Sequence, residues 1–266
     1  MNPMIAKELR ERMRERRGWV LPSVYLLLLS AATLFAYYVS TFKASSLQGS
    51  DVGLALFFTV AYSQLALLLL IMPVFSAGAI TIEKEQKTLA SLLTTLLGPG
   101  AIWTGKFSAA LLYALLLMVT ALPLMSLPLM FGGVGVTELA LAVITTVIIL
   151  ITMSAIGLFW SSIFRRTVHA TSVTYGTVIV LSVLTFVLFL GLMELRESSS
   201  SHGWSEISLG TKLPMYFNPF FYLTASFSTP KHLYPEWVRC TMLWLSTAIL
   251  AAAGAMRNLK SRSDEL

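Results

Sequence analysis

The chain has 266 residues, 56% of them hydrophobic and only 12% charged, with a mean hydropathy of +0.76. Soluble domains carry about 25% charged residues, so a soluble enzyme or binding domain is excluded as the bulk of the molecule. The net charge of +6 does not select nucleic acid either, because the basic residues are spread from loop to loop and form no single patch.

Residues 1–18 read as a basic amphipathic helix. Ile5, Leu9 and Met13 recur every four residues on one face, and Glu8 can pair with Arg12. With Trp19 at its end, this helix is expected to lie in the membrane interface, although a plain topogenic charge cluster fits the same residues. Basic residues before an apolar run also open signal peptides, but this run is too long for one and reads as an uncleaved first span.

Segments 20–42, 54–82, 107–131, 139–164, 168–193 and 240–256 contain no Asp, Glu, Lys or Arg. At about 1.5 Å per residue, each can cross a hydrocarbon core of about 30 Å, the last only at the short end even with its start drawn back to 238. The expected fold is therefore all-α and polytopic, with six transmembrane helices in residues 19–256. Pro73 interrupts span two, and Pro123 and Pro128 interrupt span three, so kinks are expected there. Gly132-Gly133-Val134-Gly135 reads as a short turn into span four. Gly157 with Ser161, and Ala248 with Ala252, place small residues at the four-residue spacing that permits close helix approach.

Charge sets the orientation. With both termini in the cytoplasm, fourteen of the nineteen basic residues fall in inside segments, among them Lys84, Lys87, Lys106, Arg165 and Arg166. Residues 83–106 are then an inside loop, 194–237 a long outside loop and 257–266 a cytoplasmic tail. Within the outside loop, 215–223 is aromatic, yet too short and proline-broken to span. It is expected to re-enter or lie along the outer leaflet, or to anchor span six as an aromatic belt.

Catalytic chemistry is sparse. Gly100 to Lys106 matches most of the phosphate-loop pattern, but Phe107 stands where a hydroxyl must meet magnesium, and no strand precedes it. The histidines His169, His202 and His232 lie in or beside loops, with no metal-ligand spacing, and Cys240 is the lone cysteine. No catalytic, cofactor-binding or metal residue is expected in this chain. With no Asp, Glu, Lys or Arg inside the apolar segments to carry protons or ions, transport would need an external motor.

The remaining constellation joins spans two and three. Leu89, Leu92, Leu93, Leu96 and Leu97 form an apolar stripe at helical spacing. Glu83 and Glu85 are expected at the start of this helix, complementing its dipole, with Glu83 pairing Lys87 and Gly98-Pro99-Gly100 ending it. Such a helix can dock in a groove of a soluble partner or rest on the inner leaflet.

This segment resembles the cytoplasmic loop of type-2 ATP-binding-cassette permeases, membrane subunits of a large exporter family. The counterparts are Glu83 and Glu85 for its acidic-x-acidic start, Thr88-Leu89, Leu92-Leu93, Thr94-Thr95, and Gly105-Lys106 opening span three. Lys87 stands where the family usually has glycine, Ala90 where it has glutamate and Leu96 where it has proline. The whole layout is similar too, from the basic N-terminal helix to the long loop before span six.

The resemblance implies a permease that pairs with a second permease, as homodimer or heterodimer, and with two copies of a cytoplasmic ATPase subunit. ATP and Mg2+ would be held by that partner, not by this chain, which would be no enzyme itself. The N-terminal helix and the loop between spans two and three would contact the ATPase, making Glu83, Glu85, Thr88, Leu89, Leu92 and Leu93 the candidate coupling residues. Reversing charge at Glu83 and Glu85 together is expected to impair coupling and spare membrane insertion. The site implied is a bacterial or archaeal cytoplasmic membrane, with lipid as the other partner. An uncharged path suits a lipid, hydrophobic drug or amphipathic peptide, and no substrate-binding residue is assigned. A non-transporting scaffold or sensor and a secondary carrier are the rival readings.

Overall fold

Six helices are long and apolar enough to cross a membrane by length and composition. The structure is a computed structural model that describes residues 17–42, 49–88, 99–197, 209–227 and 234–264. The expected N-terminal helix with Ile5, Leu9 and Met13, and the leucines Leu89, Leu92 and Leu93, lie outside the described residues. Span one is Arg17–Phe42, span two Gly49–Glu85, span three Pro99–Phe131 and span four Val136–Ile163. Span five runs through Thr167–Ile179, a π-helical turn Val180–Leu184 and Thr185–Glu197, and span six is Tyr234–Asp264. Two short helices, Leu209–Tyr216 and Pro219–Phe227, precede span six. No strand occurs among the described residues.

Helices outrun the charge-free segments wherever nothing stops them. Span two continues through the charged Glu83-Lys84-Glu85, and span six takes in Glu236, Arg239 and residues 257–264. Pro99 opens span three, where its missing N–H forfeits no helical bond, and the helix it was expected to end lies outside the described residues.

Spans two and four form the centre. In their most apolar stretches 61% and 50% of residues are buried, against 11% in span five. Phe57, Leu65, Leu68 and Met72 of span two meet Tyr113 and Leu117 of span three and Ile149 and Met153 of span four in the main core. A smaller cluster of Ile80, Trp103, Leu158 and Leu259 closes the end of the bundle that carries Glu83.

Polar groups in the spans are largely consumed within the fold. The hydroxyls of Thr33, Ser40 and Thr146 each donate to the carbonyl four residues earlier at 2.8 Å. Pro73 removes a helical donor, and the nearby Leu70 carbonyl accepts the Tyr175 hydroxyl at 2.7 Å, so a neighbouring span supplies a bond beside the interruption.

Glycine is required at a turn and at a helix seam, among other places. Gly132 and Gly133 have φ of 82° and 83°, the left-handed region that turns the chain from span three into span four. Gly157 faces Ser76 so closely that an added Cβ would lie 2.5 Å from the Ser76 Cβ. The four-residue pair Gly157 and Ser161 is thus the seam between spans two and four.

The aromatic stretch before span six packs into the bundle. Asn218 caps the second short helix, its Oδ1 accepting the N–H groups of Phe220 at 2.9 Å and Phe221 at 3.2 Å, with Pro219 as the first helical residue. Its Nδ2 reaches the Ser182 carbonyl at 2.7 Å, a point ~18 Å along the span-five helix from Glu194. Tyr222 and Leu223 are fully buried, and the Tyr62 hydroxyl meets Thr224 Oγ1 at 2.7 Å. The short helices therefore bury side chains among the spans.

Candidate functional site

Span two closes on three consecutive charged residues, and successive helical residues point about 100° apart. Each side chain therefore meets a different neighbouring helix. Glu83 Oε1 lies 3.2 Å from Lys106 Nζ in the second turn of span three. Lys106 is only 3% exposed, so this pair is largely withdrawn from water. The other Glu83 oxygen accepts the hydroxyl of Thr88.

Lys84 turns to span four. Its Nζ donates to the carbonyls of Ser161, Ser162 and Phe164, each at 2.7 Å. These carbonyls crowd the C-terminal end of that helix, which carries partial negative charge, so a cation there is stabilising. Glu85 turns to span five, where Oε1 accepts the Thr167 N–H at 2.7 Å. Arg166, the N-cap residue of that helix, supplies no side-chain cap, and the carboxylate of span two takes its place. The signs match at both ends: cation on a helix C-terminus, anion on a helix N-terminus.

Further bonds fasten the same corner. Ser161 Oγ accepts the N–H groups of Ile80 at 3.0 Å and Thr81 at 3.1 Å, and Asn258 of span six donates to Ser162 Oγ at 3.2 Å.

Beyond Glu85 the chain leaves the helix through a left-handed residue. Lys87 has φ of 58°, its N–H donates to the Lys84 carbonyl at 3.2 Å, and the Thr88 N–H donates to the Glu83 carbonyl at 3.0 Å. This bonding pattern commonly ends helices with glycine at the left-handed position, where lysine stands here. Relief of strain outweighs the extra chain entropy, so Lys87→Gly is expected to stabilise the protein by about 0.5 kcal/mol. Thermal unfolding of the purified chain checks this, and a lower melting temperature would contradict it.

Two expectations are corrected here. Glu83 and Glu85 end span two and do not begin a separate helix, because no breaker intervenes before Gln86 and the helix simply continues. Glu83 is paired with Lys106 and not with Lys87. Of the six candidate coupling residues, Glu83, Glu85 and Thr88 are brought together at this corner, and Leu89, Leu92 and Leu93 lie outside the described residues. Gly100 to Lys106 lies on the continuous helix of span three, so its N–H groups do not form a phosphate cradle.

Sequence reasoning missed Lys84, Lys106, Ser161 and Thr167. The Glu-Lys-Glu run at the end of an apolar span was the available signal, since three adjacent charges cannot all face one direction.

A second polar cluster lies at the opposite end of the bundle. Glu236, in the first turn of span six, accepts the Tyr216 hydroxyl, and its Oε1 lies 3.4 Å from Lys212 Nζ and 3.3 Å from Arg239 Nη1. Glu236 and Lys212 are both buried. Burial pushes the Tyr216 hydroxyl up to about 12, so it stays protonated and donates to the carboxylate at neutral pH. The cluster ties the first short helix to span six.

An all-helical bundle of six apolar spans defines a multi-pass membrane protein. A family model described as ABC-2 family transporter protein matches residues 3–262. The chain belongs to that family: it is a membrane permease of an ATP-binding-cassette transporter, and permeases of this family are transport components that associate with an ATPase subunit. No curated protein shows significant sequence similarity to the chain.

Proposed function

We propose that the chain is the permease of an ATP-driven exporter for a hydrophobic or amphipathic substrate: a lipid, drug or peptide. Two permeases pair, as homodimer or heterodimer, and two copies of a cytoplasmic ATPase, holding ATP and Mg2+, drive the pair between inward-open and outward-open states. The Glu83 end faces the cytoplasm of a bacterial or archaeal cell, with both termini on that side. Residues Glu83, Glu85, Thr88, Leu89, Leu92 and Leu93 belong to the element that receives the ATPase, assisted by the N-terminal helix with Ile5, Leu9 and Met13.

One observation carries this reading. The leucine-rich segment follows directly on a span end that is fastened to spans three, four and five by Glu83, Lys84 and Glu85. A push delivered to that segment therefore acts on the centre of the bundle. The apolar spans, with many hydroxyls bonded to their own helices, favour a substrate with little need of polar contacts.

The test is reconstitution of the chain with a cassette ATPase in proteoliposomes containing a fluorescent phospholipid or a hydrophobic dye. Co-purification, substrate-stimulated hydrolysis and ATP-dependent movement of the probe are expected. Downhill solute movement by the chain alone would favour the carrier, and ATPase binding without any transport would favour the scaffold.

A further inference from the structure

Span five is the least buried of the spans, yet its two halves are held by different parts of the molecule. In the half Thr167–Ile179, Glu85 of span two takes the Thr167 N–H at 2.7 Å, and the Tyr175 hydroxyl donates to the Leu70 carbonyl of span two at 2.7 Å. Trp160 of span four donates to Thr177 Oγ1 at 3.1 Å. Lys84 grips the end of span four, which reaches span five through a turn of three residues, 164–166.

Above this half the attachments change. Asn218 Nδ2 donates to the Ser182 carbonyl inside the π turn at 2.7 Å and lies 3.1 Å from Oγ1 of Thr185, the first residue of the half Thr185–Glu197, so the short helices hold that half at its base. Between the halves lies the π turn Val180–Leu184, in which no residue is buried and the Thr185 N–H bonds the Val180 carbonyl five residues back. Such turns are wider than the α-helix and interrupt its regular bonding. They are places where a long helix bends.

We infer that Lys84 and Glu85 are positioning residues that make the Thr167–Ile179 half of span five travel with the end of span two, and that the π turn is the joint at which this half swings. The inference rests on the reading of residues 83–98 as the place where the ATPase acts. The chemistry is specific: an ammonium on three carbonyls and a carboxylate on a helix N-terminus hold the turn between spans four and five from both sides. Motion of the span-two end is then transmitted to span five without a direct contact between span five and the ATPase, while Asn218 keeps the other half in place.

The experiment uses the full chain in lipid nanodiscs, alone and with its ATPase, with buried Cys240 replaced by alanine. Spin labels at Gln86 and His169 report the clamp, and labels at His169 and Leu190 report the joint. In the complex, the first distance is expected to stay single and narrow with and without trapped ATP, while the second shifts between the two conditions. In the isolated chain, the Lys84→Met, Glu85→Ala variant is expected to lose the single narrow peak at the first pair. Glu85→Gln, which keeps an acceptor oxygen, is expected to retain it.

A first distance that moves with nucleotide, or a narrow peak surviving in the double variant, overturns the clamp. An unchanged second distance overturns the joint. Should no ATPase associate, the proposed function fails on its own, and the isolated-chain comparison still decides whether the clamp exists.

Discussion

Adding one methyl group at Gly157 is expected to destabilise the bundle by about 3 kcal/mol, the upper part of the range for overpacking a filled core. An ideal Cβ there would sit 1.9 Å from Ser76 Oγ, 2.5 Å from Ser76 Cβ and 3.3 Å from the Ala77 nitrogen. The hydroxyl can rotate away, but Ser76 Cβ is fixed to the backbone, so the two helices themselves must separate. Separation also strains the bonds from Ile80 and Thr81 to Ser161 Oγ one turn further on. Gly157→Ala should therefore lower the melting temperature of the purified chain. Adding Ser76→Gly, which removes the opposing side chain, should restore much of the loss. A single variant that melts like the wild type would show that spans two and four are not packed this closely.

The second large effect is expected at the pair of Glu83 and Lys106. Glu83→Leu withdraws the carboxylate from an ammonium whose side chain is 4% exposed, whereas the Glu83 side chain is 25% exposed. The cost should be about 3 kcal/mol, the low end for breaking a buried pair, because Glu83 keeps some contact with water. Lys106→Leu should cost less, since the carboxylate left behind can hydrate. The double variant Glu83→Leu, Lys106→Leu should be more stable than Glu83→Leu alone, because it leaves no buried charge at that pair. Unfolding of the three variants in detergent measures this, and a double variant no better than Glu83→Leu would count against the assigned pairing. The same geometry revises the charge-reversal experiment. A lysine at position 83 would face Lys106, and a lysine at position 85 would set a cation on the N-terminus of span five, so reversal at either site tests folding as well as coupling.

Much of this architecture was legible in residue order. The number of spans followed from uninterrupted apolar stretches, since crossing a bilayer demands length and an absence of charge. The Gly132-Gly133 turn was legible for a local reason, because glycine readily takes positive φ. Gly157 and Ser161 were visible as a small-residue pair, but their partner was not, as nothing in their own spacing names Ser76. The short helices before span six were half-legible. Asn218-Pro219 is a capping signal, yet the reach of Asn218 to Ser182 depends on how deep the segment sinks.

The candidate site was the least legible part. Glu83 and Glu85 stood out as acidic residues, but their spacing was compatible with a helix beginning or a helix ending. What fixed the answer was their surroundings: the last carbonyls of span four and the first N–H of span five lie beside the end of span two. Lys84, which looked like an ordinary inside charge, holds three carbonyls through contacts more than seventy positions away in the chain.

By itself, then, the order of residues determined an all-helical membrane protein with six crossings, because solvation by lipid acts on each segment separately and sums along the chain. Only the tertiary structure decided which helix each charge at the end of span two would hold. A hydrogen bond between distant residues depends on where whole helices come to rest, and that position is set by packing of the assembled bundle.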